Sequence, residues 1–523
     1  MTNTTMPLNQ LLTDIVAVQT QIPSDCSITG LTCDSRLVKP GFLFFALRGT
    51  QSDGHAFISA AVVQGAAAVI LEDSSYAPTE VPWLVVSDIR RVMARLAARF
   101  HHEPTKNKPL IGITGTNGKT TTSYLIESIL NAAALPAAVL GTISYRFGET
   151  TLPASHTTPE STELQAVFAE LAEVGAKAFV MEVSSHALEQ HRVDGADFNV
   201  GVFTNLTRDH LDYHGTMEAY QEAKIRLFEE LLRPNAEKAD QIKAAVINLD
   251  DPAAPTFINR SACAVLTYGL SQGADVTARD ILMDTNGIHG ILVTPNGEAP
   301  FSSKLLGTYN IQNILGAAAA GIALGLSLEA IVTGIINQTN VPGRLERVEN
   351  DCGITCLVDY AHTGDALQNV LSTLRSLAQQ RLITVFGCGG DRDTGKRPVM
   401  GNIATTISDI TIVTSDNPRT EQPAAIIADI RSGISKEHTH YFTPEGLRQA
   451  AVSGTMLPSS CHTIIENRQE AIELAITLAT PGDIVLLAGK GHEDYQIIGT
   501  VKTHFDDRIV AYNALKERHS HVH

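Results

Sequence analysis

Three shortages bound this chain before any motif is read. Cysteine is sparse and odd in number, with seven residues at 26, 33, 263, 352, 356, 388 and 461. Only Cys352 and Cys356 lie close together, and they lack partners at zinc spacing. The pattern therefore predicts buried, reduced thiols rather than a disulfide framework or a zinc knot. Long apolar runs are missing as well: the most apolar stretch, "ILGAAAAGIALGL", falls short of a membrane span. Positive charge is in deficit, with 39 Lys and Arg against 56 Asp and Glu and a net charge of −17. That excludes bulk binding to nucleic acid or anionic lipid and leaves only local basic pockets. The start, "MTNTTMPLNQ", has neither a basic region nor an apolar run, so the expectation is a soluble cytoplasmic protein. No internal repeat or low-complexity tract is visible.

What is present is a core-forming sequence, with 44% hydrophobic and 18% charged residues. Its 523 residues exceed one ordinary core, and a length prior gives roughly three domains. Short apolar runs without alternation recur: "GFLFFAL", "LIGITG", "AFVMEV", "VGVFTN", "CLVDY", "LITVFG", "ITIVT" and "IVLLAG". Separated by helix-like stretches, they predict parallel strands covered on both faces, hence an α/β protein. Two breaks, "HHEPTKNKP" at 101–109 and "NQTNVPGRLE" at 337–346, divide the chain into expected domains 1–106, 107–340 and 341–523.

The segment "IGITGTNGKTTT" joins a buried strand to an amphipathic helix through a glycine-rich turn, which is the setting of a phosphate-binding loop. The usual G-x-x-x-x-G-K-[ST] pattern would put glycine at 113, where this chain has Ile113. Ile113 falls inside the strand, before the turn, so its bulk need not obstruct phosphates. Gly115 and Gly118 free the backbone to wrap an anion, Lys119 can reach the β- and γ-phosphates, and the Thr120 hydroxyl can ligate Mg²⁺. A neighbouring strand should end in a metal-coordinating carboxylate, and "AFVMEVSSH" supplies Glu182. The next strand runs into "LTRDHLDYHGT", bringing Arg208, Asp209, His210, Asp212 and His214 to the same edge. Most of these read as solvated loop residues. His210 follows the strand end closely enough to be singled out.

Lys224 is unusual. In "TMEAYQEAKIRLFEELL" it shares the apolar stripe of Tyr220 and Phe228. Taken alone, a lysine snorkelling to the surface is the favoured reading. In desolvated surroundings its amine would instead be neutral and nucleophilic, open to conversion by CO₂ into a carbamate that binds Mg²⁺.

Together these motifs resemble the Mur ligase family, the ATP-dependent amino-acid ligases of peptidoglycan precursor synthesis. "GTNGKTT", "MEVSSHALEQHRV", "FTNLTRDHLDYHGTMEAYQEAK", "VDYAHT", "FGCGGDRDTGKRP", "SDNPRTE" and "AGKGHEDYQ" occur in the family's order over nearly the whole chain. A GTNGKT-type loop is the family's own form, which accounts for Ile113. The resemblance implies a three-domain architecture: an N-terminal UDP-precursor-binding domain, a central P-loop sheet and a Rossmann-like, amino-acid-binding C-terminal domain.

It also implies roles at matched positions. ATP would be held by Gly115, Thr116, Asn117, Gly118, Lys119, Thr120 and Thr121, with Asn313, Arg344 and Asp359. The uridine end of the precursor would meet Cys33, Ser35, Thr50, Gln51 and Ser52. The muramoyl-dipeptide would meet His156, Thr157, Thr158, Ser184, Gln190 and Arg192. Thr120, Glu182, His210 and Lys224, the last as its carbamate (N6-carboxylysine), would hold Mg²⁺. Arg392, Asp416, Asn417, Pro418, Arg419, Gly489 and Glu493 would form the amino-acid pocket. The "DNPR" form is associated with meso-diaminopimelate, because a second carboxylate needs a cation and Arg419 offers a bidentate fork. Gly364 departs from the proline common in relatives, which should loosen that loop without removing a functional group.

The implied reaction activates the D-glutamate γ-carboxylate of UDP-N-acetylmuramoyl-L-alanyl-D-glutamate as an acyl phosphate, which the amine of meso-diaminopimelate then displaces. Lys119, Glu182, His210 and Lys224 are its expected catalytic groups, in a monomer acting on small molecules, with no nucleic acid and no membrane insertion. Shielding the acyl phosphate from water predicts domain closure, with the linker near 337–346 as one hinge. Rival readings are a ligase of the same architecture that adds L-lysine or extends folate, a P-loop kinase or ATPase, and a non-catalytic binding protein. Arg419 opposes lysine, the full motif set opposes folate, and the retained Lys119, Thr120 and Glu182 oppose a merely binding protein.

Overall fold

The computed structural model describes residues 5–21, 26–49, 52–234, 241–435, 437–453 and 455–522, with side chains described to residue 518. Two compact units are present. One comprises residues 1–279, 291–301 and 312–337, and the other 280–290, 302–311 and 338–523.

The first unit is built on two large sheets, beside a two-stranded pair of Met6–Pro7 with Ser27–Ile28. A five-stranded sheet runs Gln19–Gln21, Trp83–Val85, Ala68–Leu71, Phe42–Phe45, Gly30–Thr32, and only its first strand is antiparallel to its neighbour. An eight-stranded sheet runs Thr150–Pro153, Ser144–Phe147, Ala137–Leu140, Ala178–Glu182, Leu110–Thr114, Val200–Phe203, Ala244–Asn248, Ala264–Tyr268. Its last six strands are parallel, and the glycine-rich turn follows the strand Leu110–Thr114 in their midst. All five residues of that strand are buried, Ile113 among them, so the isoleucine packs in the core as its position before the turn required. Gly112 is needed there for closeness, because a Cβ would meet the Phe198 ring at 2.6 Å.

Register decides what reaches the sheet edge. Glu182 pairs with Ile113 and Phe203 with Thr114, so three adjacent strands end together at their carboxyl side. In parallel α/β sheets that edge is where ligands bind.

The second unit is built on a seven-stranded sheet ordered Glu346–Val348, Thr355–Asp359, Ile484–Ala488, Leu382–Phe386, Ile410–Val413, Cys461–Ile464, His440–Tyr441. All neighbours are parallel except the first pair. Along Ile484–Ala488, Val485 and Leu487 enter one core while Ile484, Leu486 and Ala488 enter another. Burial on both faces is why such strands show continuous apolar runs rather than alternation. Gly364 is the first residue of the helix Gly364–Leu377, whose N-terminus is capped by the Thr363 hydroxyl accepting from Ala366 N at 3.3 Å.

All seven cysteines are free. Cys356, Cys388 and Cys461 are buried, while Cys26, Cys33, Cys263 and Cys352 are only partly so, a correction to the expected full burial. The helix Met217–Arg226 carries Lys224, and its continuation Leu227–Leu231 widens into a π turn that the even apolar stripe did not foretell. Among the described residues no helix is long and apolar enough to cross a membrane.

Candidate active site

The loop after Thr114 turns on two left-handed glycines, Gly115 at φ 145° and Gly118 at φ 86°. A Cβ on Gly115 would collide with the Thr204 hydroxyl, and one on Gly118 with Asn313 Oδ1. Asn313 also accepts from Thr122 Oγ1 at 3.3 Å, which places this predicted residue against the first turn of the loop's helix, Lys119–Ala132. The strand Val200–Phe203 supplies the brace. Asn205 accepts through Oδ1 from Asn117 N (2.8 Å) and through its carbonyl from Thr116 N (2.9 Å), and Thr204 Oγ1 donates to the Asn117 carbonyl at 2.7 Å. Thr204 and Asn205 were within the quoted "VGVFTN" run, yet nothing local in the sequence marks them as supports of a distant loop.

Two lysines converge on this turn. Lys119 Nζ donates to the Gly115 and Thr116 carbonyls, each at 2.9 Å, and Lys224 Nζ donates to the same Gly115 carbonyl at 3.0 Å. Lys224 does not snorkel: it is 1% exposed, with its ammonium 4.4 Å from the centre of the Tyr220 ring. Burial, reinforced by the nearby Lys119 charge and only partly opposed by Asp209, holds its pKa well below the usual lysine value. Tyr220 OH lies 3.2 Å from Thr116 Oγ1, and burial pushes this phenol up to about 12.

Glu182 ends its strand 1% exposed. Its Oε2 accepts from Thr120 Oγ1 (3.2 Å) and Thr142 Oγ1 (3.0 Å), and its Oε1 from Thr142 N (3.1 Å). Thr142, in "GTIS" after the strand Ala137–Leu140, is a partner the sequence did not point to. Glu182 and Thr120 form a hard-oxygen pair of the kind Mg²⁺ takes, usually completing its shell with water and substrate phosphate. His210 adopts φ 51°, pairs with Asp209 at 3.4 Å and stands edge-on to His186 at 5.0 Å. Burial lowers the His186 pKa to about 4, helped by His210 and His214. Among the described residues no three His, Cys, Asp or Glu side chains cluster closely enough to hold a metal by themselves.

A polar patch continues from Glu182. Thr158 Oγ1 donates to the Glu182 carbonyl at 2.8 Å and accepts from Ser184 N at 3.1 Å. Arg192 donates to the Thr158 carbonyl (2.9 Å) and to Gln190 Oε1 (2.7 Å), and forms an ion pair with Glu160 at 3.1 Å. Thr157 Oγ1 lies 3.0 Å from Thr142 Oγ1, and the His156 carbonyl accepts from Tyr145 OH at 2.6 Å. His156, Thr157, Thr158, Ser184, Gln190 and Arg192 are thus brought together. Cys33 sits within electrostatic reach of Glu160 and Arg90; its thiol is pushed up to about 12, chiefly by burial. Ser35 opens a short helical turn, Ser35–Leu37, and the Ser52 carbonyl accepts from Gly49 N at 2.9 Å. Thr50 and Gln51 lie outside the described residues.

The second unit gathers the remaining predicted residues at its own sheet edge. Asp359 is buried, accepting from Leu345 N and Ala361 N at 2.8 Å each; burial raises its pKa, with Arg344 opposing. Arg344 packs over the Tyr360 ring at 5.1 Å. Asn417 Nδ2 donates to Glu493 Oε2 at 2.8 Å while its Oδ1 accepts from Ile497 N at 2.9 Å. Gly489, at φ 114°, would set a Cβ 2.9 Å from Asp416 Oδ2. Arg419, at φ 51°, donates from Nη1 to the Gly390 carbonyl at 2.8 Å, and Arg392 Nη1 to the Asp391 carbonyl at 3.0 Å. Pro418 is buried between Asn417 and Arg419, and its carbonyl accepts from Glu421 N at 3.1 Å. Burial raises the Glu493 pKa, offset by Lys490, whose buried ammonium lies 3.4 Å from Glu493 Oε2 and 3.9 Å from Asp416 Oδ1. Lys490 stood in "AGKGHEDYQ" but was not singled out; only the fold reveals it as the counter-ion of two carboxylates.

A phosphate loop beside a buried carboxylate, with a second α/β unit presenting paired arginines and acids at its strand ends, defines a nucleotide-dependent α/β enzyme. Three family models cover most of the chain: "Mur ligase family, catalytic domain" at 27–101, "Mur ligase middle domain" at 113–321 and "Mur ligase, glutamate ligase domain" at 343–491. The chain belongs to the Mur ligase family. Among its relatives, the UDP-N-acetylmuramoyl-L-alanyl-D-glutamate–2,6-diaminopimelate ligase of Geobacter sulfurreducens is 56% identical over 97% of this chain and 98% of its own. The ligase of the same name from Geobacillus kaustophilus is 46% identical over 94% and 95%. A solved structure of a UDP-N-acetylmuramoyl-L-alanyl-D-glutamate–2,6-diaminopimelate ligase superposes with a TM-score of 0.71 at 36% identity, covering 98% of this chain and 99% of that one.

Proposed function

We propose that this chain is an ATP-dependent, amide-bond-forming ligase. It adds meso-diaminopimelate to the D-glutamate γ-carboxylate of UDP-N-acetylmuramoyl-L-alanyl-D-glutamate, in cytoplasmic synthesis of the peptidoglycan precursor. The observation that carries this reading is the 56% identity, over nearly the full length of both chains, to a relative with that name. The Glu493 carboxylate held by Asn417 and the Arg419 guanidinium held by the Gly390 carbonyl support it, because they supply one anionic and one cationic group suited to the ammonium and carboxylate of an amino acid.

A carboxylate condenses with an amine only after one oxygen becomes a leaving group. The precursor's γ-carboxylate attacks the γ-phosphate of ATP, giving an acyl phosphate and ADP; the diaminopimelate amine then attacks the acyl carbon and expels phosphate. Phosphoryl transfer asks the protein mainly for positioning and charge neutralisation. The loop's backbone and Lys119 cradle the triphosphate, and Lys119 exchanges its two carbonyl partners for phosphate oxygens. Thr120 and Glu182 would hold Mg²⁺, with His210 and a carbamate on Lys224 completing the set. When bound, the metal neutralises phosphate charge. The low pKa of Lys224 suits carbamate formation, in which the neutral amine adds to CO₂ and releases a proton. Asn313, Arg344 and Asp359 serve ATP. Cys33, Ser35, Ser52 and the patch from His156 to Arg192 serve the precursor, and Arg392, Asp416, Asn417, Pro418, Arg419, Gly489 and Glu493 serve the incoming amino acid. The corresponding domains are 1–106, 107–340 and 341–523.

Phosphate release tests the reading directly. It is expected only when ATP, precursor and diamino acid are all present, and ATP cleavage at full rate without the last two would overturn it. Mass spectrometry of the product formed when several amino acids compete for one precursor would show diaminopimelate incorporated; lysine incorporation would redirect the assignment within the family.

A further inference from the structure

Arg397 is among the most deeply buried large side chains in the protein, 1% exposed, and nothing in the reaction above uses it. It lies in the helix Lys396–Ile407, directly after the "GGDRDTG" loop. Its Nη1 donates to Glu421 Oε2 at 2.9 Å and to Asp429 Oδ2 at 2.8 Å. Its Nη2 donates to Glu421 Oε1 at 2.8 Å and to the Gly389 carbonyl at 3.4 Å. The fork therefore grips the Glu421 carboxylate with both ends, the geometry in which a guanidinium holds an acid most firmly.

Glu421 carries that grip across to the arginine loops. Its Oε1 also accepts from Asp391 N at 2.6 Å. The Asp391 carboxylate accepts from Thr420 Oγ1 (2.7 Å) and Thr420 N (3.2 Å), and Gly390 N donates to the Asn417 carbonyl at 2.9 Å. The loops touch so closely that a Cβ on Gly390 would collide with the Pro418 carbonyl. Each holds one non-glycine residue in the left-handed region, Asp391 at φ 53° and Arg419 at φ 51°. Such conformations persist where surrounding contacts over-determine them. Arg419 donates through Nη1 to the Gly390 carbonyl, so the placement of its guanidinium follows the placement of the neighbouring loop.

We propose that Arg397 is a positioning residue for the diamino acid. Acting through Glu421, it locks loop 389–393 against loop 417–421, so that Arg419 presents the free side of its fork, beside Arg392, to the amino acid's second carboxylate. This rests on the pocket assignment given above. Asp429, the other acidic partner of Arg397, belongs to the helix Pro423–Ser432, outside both loops, so it separates a helix clamp from a loop lock.

Steady-state kinetics on the full chain distinguish the two. Glu421→Gln, at a half-exposed carboxylate, keeps shape and removes the charge; it and Arg397→Met are each expected to raise KM for meso-diaminopimelate about tenfold or more, with KM for ATP and for the UDP-precursor within about twofold. The double variant should be no worse than either single one, because both break one unit, and Arg397→Lys should restore part of the loss. Asp429→Asn should lower the melting temperature and leave KM for the diamino acid alone. Equal rises for all three substrates, losses that follow melting temperature, or an Asp429→Asn effect equal to that of Glu421→Gln would overturn the proposal. Arg419→Ala run in parallel separates the failures. If it spares diaminopimelate use, the pocket assignment falls; if it impairs that use while Glu421→Gln does not, only the role of Arg397 falls.

Discussion

Lys224 shows how one residue's surroundings change what its chemistry can be. An exposed lysine at that point of an amphipathic helix would remain an ammonium. Buried, bonded to one carbonyl and facing the Lys119 charge, it favours the neutral amine. Lys224→Ala is expected to abolish turnover and to recover part of it with added short carboxylates. Wild-type-like activity in that variant would remove the carbamate from the scheme. His492 offers a test by pH. Burial, aided by Arg344 and Arg508, lowers its pKa to about 4 from an ordinary 6.5. Between those values the unfolded chain binds a proton that the folded chain refuses, so stability rises with pH across this window and is lost as pH falls through it. His492→Gln should reduce proton uptake on unfolding between pH 4 and 6.5 by up to about one proton, as read from the pH dependence of denaturant midpoints. An unchanged slope would place the histidine in water.

At the scale of elements, the phosphate loop and the strands beneath it fail in different ways. Gly118 is the left-handed N-cap of the helix Lys119–Ala132 and faces Asn313. Gly118→Ala combines an unfavourable φ, costing about 1–2 kcal/mol, with a collision. Nucleotide-analogue affinity should fall by roughly tenfold or more while binding of diaminopimelate is unaffected. Leu486 belongs to Ile484–Ala488, an interior strand of the second unit's sheet, and is fully buried. Leu486→Ala should destabilise that unit by about 2–5 kcal/mol in denaturant melts, the transfer term plus a cavity. Activity per folded molecule should hold, because no polar atom of the site changes.

At the scale of the whole molecule, the expected requirement is exclusion of water from the acyl phosphate. The residues proposed to serve ATP occur in both units, with residues 115–121 and Asn313 in one and Arg344 and Asp359 in the other. Addition of an ATP analogue with precursor is therefore expected to reduce the radius of gyration measured by X-ray scattering. Unchanged dimensions would count against closure as the means of protection.

The α/β class, the strands and the glycine-rich turn were legible in sequence because each is a local pattern. "LIGITG" and "IVLLAG" are buried on both faces and show it in unbroken apolar runs, and Gly115 and Gly118 answer to a turn only a few residues long. The hairpin strands Ser144–Phe147 and Thr150–Pro153 were not read, since their half-buried positions break the run. Thr142, Asn205, Lys490 and Arg397 remained silent for another reason. Each acts on at least one residue far along the chain, Asp416 in the case of Lys490, that becomes a neighbour only once parallel strands bring their carboxyl ends to one edge. The burial of Lys224 belongs with them: its helical stripe allowed either a surface or an interior lysine. Desolvation depends on what packs around a group, and that is decided by the tertiary structure, not by spacing along the chain.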